Sequence, residues 1–262
     1  MSLPVHVQQA MRVLELLAPE EHGLGVTQIA AELGVNKAIA HRILAALADT
    51  AYIEQDGATR TYRATHRLGA LGVRQLEAAG VERWAQGPLD ALAQRTQHLV
   101  RLAIAGDYTL QWIGRAQGAR SRLLVDPAMG ADVVLHATAS GKAYLATLPA
   151  DELEVFLAST ELSRQTPNTI VEETELRAEL EHVRERGFAV VCEEMDLGVN
   201  AMAAPIRGRS GSDVATGTVS IAGPAVLVPR EALEAFAPLL VATAAELAER
   251  WPLRDRGRHE AA

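Results

Sequence analysis

Residues 26–47 read VTQIAAELGVNKAIAHRILAAL, and Gly34 in the middle of this run restricts what the stretch can form. Thr27 is placed to cap a short helix with Ile29, Ala30 and Leu33 on one face, Gly34 ends that helix, and Asn36 opens a second two residues later. At about 100° per residue, Ile39, Ile43, Ala46 and Leu47 share one side of the second helix. Lys37, Ala38, His41, Arg42 and Ala45 point away from it. Such an outward face suits a major groove, because small residues permit close approach while Asn, Lys and Arg reach base edges and phosphates. A helical hairpin with solvated charges satisfies the same pattern.

The next residues favour the first alternative. Tyr52 to Gln55, then Asp56-Gly57-Ala58-Thr59, then Arg60 to Arg63 read as strand, turn and strand, with Asp-Gly as the hairpin signal. A wing therefore follows the helix pair. Arg60, Arg63, His66 and Arg67 lie on it or just beyond, where cations meet phosphate oxygens or the minor groove. The residues expected to contact DNA are Thr27, Asn36, Lys37, Ala38, His41 and Arg42 of the helix pair, with Arg60 and Arg63 of the wing.

A net charge of −8 looks unfavourable for such a partner, but it is unevenly spread. Residues 1–70 hold six Lys/Arg against seven Asp/Glu, and the remainder nineteen against twenty-six, so the first part carries −1 and the rest −7. Phosphate binding depends on the local face, and five of those six cations lie in or after the second helix. With 262 residues and 48% hydrophobic content the chain can bury two cores. It has no run of about 18 apolar residues and no basic-then-apolar start, so a cytoplasmic protein with no membrane partner is expected. Its single Cys192 fits a reducing compartment and reads as a small buried hydrophobe.

Upstream of the helix pair, residues 5–18 carry Val7, Met11, Leu14 and Leu17 at helical spacing, a first helix to pack beneath the other two. Residues 65–80 read as a linker helix whose Leu68, Leu71 and Leu76 can pack within the chain or against a second subunit. Farther on, Pro88 suits the first turn of a helix with Leu89, Leu92 and Ala93 inside. Residues 99–105, 109–116, 122–126, 188–192, 201–206 and 215–221 read as strands, with a turn at 210–213. Helices are expected at 139–148, 152–158, 172–186 and 230–250, with a loose tail at 254–262. Helices before, between and after hairpin-linked strands argue for α+β with an antiparallel sheet.

Several residues invite catalytic readings. The run Thr138-Ala139-Ser140-Gly141-Lys142 has His136 where a phosphate loop requires Gly, so that reading fails. Ser140 as a nucleophile would need His136 on the same helix, yet the caps start the helix after His136, so Ser140 reads as a helix-start polar group. Glu193 and Glu194 are adjacent on a strand and point to opposite faces, which disfavours an acid pair or a metal site. The eight histidines lack ligand spacing. No catalytic, metal or cofactor site is expected. The competing reading is a small-molecule-binding enzyme with a vestigial helix-turn-helix, using Ser140 or Cys192.

Four segments, TQIAAELGVNKAIAHRILAAL, LHATASGKAYLATLP, RERGFAVVCEEMDLGVNAMAAPI and GTVSIAGP, resemble the IclR (isocitrate lyase regulator) family of bacterial transcription factors, in the right order and spacing. The resemblance implies a winged helix-turn-helix domain over residues 1–64, a linker helix over 65–80, and a GAF/PAS-like effector domain over 81–253 with an antiparallel sheet flanked by helices. It implies a homodimer or homotetramer on double-stranded operator DNA, acting as repressor, activator or both. It also implies an effector site at Gly130, Ala131, Val191, Val199, Ala201, Ser220 and Ala222. Here Val191, Ala201 and Ala222 replace the Asp, Cys and Ser found where the effector is a small oxo acid. Ser220 and the amides of Gly130 and Ala131 are then the remaining polar anchors, which favours an aromatic or apolar organic acid.

Overall fold

The computed structural model describes residues 5–78, 80–106, 108–120, 133–208 and 213–251. The strand expected at 122–126, Gly130 and Ala131, Asp107, residues 210–212 of the expected turn, and the tail at 254–262 lie outside them. The chain divides into two compact units, Met1–Ala78 and Ala79–Ala262.

In the first unit α1 (Val5–Leu17), α2 (Val26–Glu32) and α3 (Lys37–Asp49) precede a hairpin of β1 (Ile53–Gln55) and β2 (Tyr62–Ala64), and α4 (His66–Ala78) follows. Val13, Leu17, Ile29, Ile43, Leu44, Ile53 and Tyr62 form its core. Gly34, at φ +64°, turns the chain between α2 and α3. Asn36 caps α3, its side chain accepting from the Ile39 N–H at 3.0 Å. The hairpin is joined to the α1–α2 connection by paired backbone bonds between Leu24 and Tyr62 of 2.9 and 2.8 Å. That approach requires Gly23, where a Cβ would sit 2.4 Å from the Tyr62 carbonyl oxygen.

Three local expectations are corrected. The N-cap of α2 is Gly25, whose N–H donates to the Gln28 side chain, and Thr27 lies exposed within the helix. The inner stripe of α3 is Ala40, Ile43 and Leu44 with Ile39 and Leu47 half-buried, whereas Ala46 is exposed. On α1, Val13 and Leu17 face the core and Val7 and Met11 face out. The strand-turn-strand reading of residues 52–63 holds, with the strands at Ile53–Gln55 and Tyr62–Ala64. Gln55 pairs with Tyr62 across a longer loop in which the Asp56 carboxylate accepts from the Ala58 and Thr59 N–H groups, and Arg60 takes φ 59°. An Asx turn of this kind satisfies donors that a tight primed turn would not present.

The second unit contains α5 (Val81–Thr96), β3 (Leu99–Ala105), β4 (Leu110–Gln117), α6 (Ala139–Leu145), α7 (Ala150–Ser159), α8 (Glu173–Arg186), β5 (Ala189–Cys192), β6 (Val199–Arg207), β7 (Ala215–Pro224), α9 (Arg230–Glu234) and α10 (Ala237–Arg250). The five strands form one antiparallel sheet in the order β4-β3-β7-β6-β5. Helices α5 and α10 pack together and against the sheet, α6 packs on β5, β6 and β7, and α8 packs on α6. Every residue of the central strand β7 is therefore buried. Pro88 lies inside α5 rather than in its first turn, and the C-terminal helix breaks in two at Phe236, with Pro238 opening α10. Gly141 permits α6 to approach the preceding segment, since a Cβ there would lie 2.1 Å from the Leu135 carbonyl oxygen.

Candidate functional site

Two surfaces carry chemistry, one in each unit. On the first, Asn36, Lys37, Ala38, His41, Arg42 and Ala45 are all exposed on α3, as the helical period predicts. Among the described residues Lys37 and Arg42 form no ion pair, so this face holds two uncompensated cations on a rigid, capped helix. Arg60 is exposed at the hairpin tip. Arg63 is tied to Glu54 across the hairpin at 2.7 Å, both side chains about half exposed. Pairs this wet contribute little to stability and exchange readily for a phosphate. Arg67 instead lies over the Tyr52 ring, 5.0 Å from its centroid. Thr27 is exposed on α2.

In the second unit a cavity of about 230 Å³ opens between the sheet, the start of α6 and the β5–β6 turn. Val191, Val199, Ala201, Ser220 and Ala222 all line it, brought together because Val191 pairs with Ala201 and Ala201 with Ala222 across three strands. Gly130 and Ala131 lie outside the described residues. The remaining wall was not foreseen: Arg101 from β3, Thr138, Ala139 and Ser140 from the start of α6, and Met195 and Asp196 from the β5–β6 turn. The cavity is thus more polar than an arrangement anchored by Ser220 alone. Arg101 stands directly opposite Ser220 in the β3–β7 register, and its guanidinium carbon lies 3.7 Å from the Trp112 ring centroid. A lone Arg among the apolar residues of LVRLAIA was the signal available in the sequence. In the sequence Ser140 reads only as a nucleophile or a helix-start group; its place on the cavity wall depends on α6 packing over the sheet.

The helix and loop walls are fastened by a buried ion pair. Lys142, fully buried on α6, donates from Nζ to both carboxylate oxygens of Glu194 at 2.7 and 2.6 Å. Burial pushes the Glu194 carboxyl above the usual carboxylate range, opposed by the Lys142 charge. Thr166 and Thr169 hydroxyls donate to the Glu194 carbonyl, while Glu193 turns the other way and accepts from the Gly198 N–H at 2.7 Å. The two acids therefore have separate structural tasks.

Among the described residues Ser140 and His136 are not brought together as nucleophile and base. Thr138 caps α6 through the Gly141 N–H, and the His136 ring bonds the Ser163 carbonyl at 2.8 Å rather than Ser140. Burial raises the Cys192 thiol above its ordinary value, which lowers its thiolate fraction. Among the described residues no group of three or more His, Cys, Asp or Glu could hold a metal ion, and no helix is long and apolar enough to cross a membrane.

Comparison with known proteins finds matches for both units. Residues 7–57 match the model of the IclR helix-turn-helix domain, and residues 73–249 match that of the bacterial transcriptional regulator IclR C-terminal domain. The glycerol operon regulatory protein of Streptomyces coelicolor is 32% identical over 228 residues, spanning 86% of this chain and 87% of its own. An IclR transcriptional regulator from Alicyclobacillus acidocaldarius superposes with a TM-score of 0.83 at 26% identity, covering 95% of this chain and 99% of that one. An IclR homologue from Microbacterium hydrocarbonoxydans, crystallised with 4-hydroxybenzoate, shares the fold with a TM-score of 0.74 at 20% identity, covering 94% and 98%. A wing-bearing helix pair with a free basic face, joined in one chain to a sheet domain with a walled cavity, thus has matching relatives along nearly its whole length, and the chain belongs to the IclR family of DNA-binding bacterial transcriptional regulators.

Proposed function

We propose that α3 enters the major groove of an operator, with Lys37, His41 and Arg42 reaching base edges and Ala38 allowing the close approach. Asn36 and Thr27 sit where phosphates pass, and Arg60 and Arg63 of the wing hold the backbone. The observation that carries this reading is the outward face of α3, cationic and unpaired among the described residues, on a helix whose opposite face is in the core.

The protein acts in the cytoplasm without catalysis, as a homodimer or a homotetramer. Helix α4 supports self-association: no residue of it is buried, yet it exposes Leu71 at 46% and Val73 at 64%. A 13-residue helix gains little stability from local propensity alone, so a partner face is needed to hold it. Two recognition helices on a two-fold operator sit about 34 Å apart.

The cavity of the second unit holds the effector, at Val191, Val199, Ala201, Ser220 and Ala222, with Gly130 and Ala131, outside the described residues, proposed to complete it. Its volume, below the roughly 300–1,000 Å³ of drug-sized pockets, suits a small organic molecule such as the aromatic acid bound by the Microbacterium neighbour. Effector and operator are coupled through two arrangements of the assembly, by about 1–3 kcal/mol. A gel-shift titration on DNA upstream of the gene, repeated across salt concentrations, tests the reading. Specific retardation with a steep salt dependence is expected, and binding equal to that of random DNA refutes it.

A further inference from the structure

We infer that Asp56 is a positioning residue for DNA binding: it gathers the wing tip so that Arg60 stands ready for a phosphate, although its own charge repels one. The inference rests on the reading of Arg60 as a backbone contact and adds what holds Arg60 in place. On charge alone an acid is a poor choice beside a phosphate backbone, since like charges weaken association. The geometry supplies the reason for it. Asp56 Oδ1 accepts from the Ala58 N–H at 2.9 Å, the Thr59 N–H at 2.7 Å and the Thr59 hydroxyl at 3.0 Å. Those donors, the Thr59 N–H first, hold the carboxyl below its usual range. Water competes with each such bond singly, but one oxygen that collects several donors of its own turn closes the loop as a unit.

The loop so closed fixes the backbone of Arg60 on both sides. Its N–H donates to the Asp56 carbonyl at 3.0 Å, and its carbonyl accepts from Gln55 Nε2 at 3.0 Å. Between these bonds Arg60 takes φ 59°, in the left-handed region that a long L side chain seldom enters unaided. Its side chain is left exposed, and among the described residues the guanidinium has no partner. The loop is also anchored to the helix pair. The Thr61 hydroxyl lies 2.8 Å from Thr59 Oγ1 and 3.2 Å from the His22 carbonyl oxygen, ahead of α2, and its single hydrogen serves one or the other. The Leu24–Tyr62 backbone bonds join the same two segments. Wing tip and helix pair therefore share one frame, and a phosphate reaching Arg60 meets a backbone already ordered. Such preordering spares the entropy that a loose tip would lose on binding.

Two substitutions at one position separate geometry from charge. Asp56→Asn keeps the acceptor oxygen and the Asx turn, Asp56→Ala loses both, and each removes the same negative charge. Affinity is read by gel shift on the full chain across salt concentrations, with a duplex of arbitrary sequence and the DNA upstream of the gene as probes. Asp56→Asn should bind both duplexes at least as tightly as wild type, and about 2–10-fold more tightly than Asp56→Ala. The slope of log K against log salt should keep its wild-type value for the Asn variant and fall by up to about 1 for the Ala variant, as a phosphate contact is lost. In the Arg60→Ala background the Asn and Ala variants should coincide, which a merely structural role would not produce. Unfolding transitions check that each variant is folded. Should Asp56→Ala fail to fold, Thr59→Val, which removes the hydroxyl and leaves the N–H bonds, should give a smaller loss that again vanishes without Arg60. An Ala variant that binds as tightly as the Asn variant, or a difference between them that survives Arg60→Ala, overturns the inference and leaves Arg60 as a contact. Wild type and Arg60→Ala binding alike overturns the reading of Arg60 itself, and this inference with it.

Discussion

Replacing Lys142 with Met tests how the cavity wall is held. The substitution keeps the length of the stem and removes the ammonium that faces both oxygens of Glu194 at 2.7 and 2.6 Å. Lys142 is fully buried and Glu194 is 8% exposed, so screening by water is small and the surviving carboxylate is left in a poorly solvated place. Removing one partner of a buried pair costs about 3–5 kcal/mol. For a unit of this size, at about 2–4 °C per kcal/mol, Tm should fall by roughly 6–20 °C. The pH dependence follows from Glu194. Its folded pKa is already raised by burial, and a raised carboxyl stabilises the fold when protonated, fully below the unfolded value and less as pH passes the folded one. Without Lys142 the pKa rises further, so the deficit should be largest near pH 8 and shrink near pH 5. Denaturant unfolding of wild type and Lys142→Met at both pH values measures it, and the double variant Lys142→Met/Glu194→Leu should recover most of the loss. A deficit below about 1 kcal/mol at pH 8, or one equal at both pH values, would refute the argument.

Three further outcomes are expected. Arg42→Ala should weaken operator binding by about 1–3 kcal/mol in a gel shift with the unfolding transition unchanged, whereas Arg60→Ala should weaken all sequences alike and lower the slope of log K against log salt by about 1. Leu71→Asp with Val73→Asp should shift the sedimentation coefficient toward the monomer; an unchanged assembly would remove α4 from the interface. Gly141→Ala should cost more than about 3 kcal/mol or prevent folding of the second unit, as read by circular dichroism, because its Cβ would lie 2.1 Å from backbone that cannot retreat.

What the sequence disclosed depended on how local each determinant is. The outward face of α3 and the helix expected at 172–186, observed as α8 with Leu176, Leu180 and Val183 buried and Gly187 at φ +81° after its end, follow from local periodicity and a terminator, so both were legible. Prolines were less so. Pro88 lies within α5 while Pro238 opens a new helix, and nothing in the two local patterns separates them. The five cavity residues of β5, β6 and β7 entered through resemblance, and the structure brings them together. Arg101 and Ser140 escaped because their position depends on β3 pairing with β7 and on α6 lying over the sheet, relations between segments far apart in the chain. Thr27 was misassigned as a cap because α2 starts one residue before it, at Val26, with Gly25 as the N-cap, whose N–H donates to the Gln28 side chain.

The strand order also has a consequence for how the chain is made. β7 lies at the centre of the sheet, between β3 and β6, yet it is the last strand to leave the ribosome. From Ala105 to Ala215 translation must add 110 residues, so at about 5–20 residues per second the inner edge of β3 waits roughly 5–20 s for its partner. During that interval two hairpins, β3–β4 and β5–β6, each expose an edge that would pair with any extended strand, including the same strand of a neighbouring nascent chain. The first unit, complete by Ala78, carries no such debt. Its folding is expected during synthesis, while the sheet of the second unit must wait until β7 has emerged.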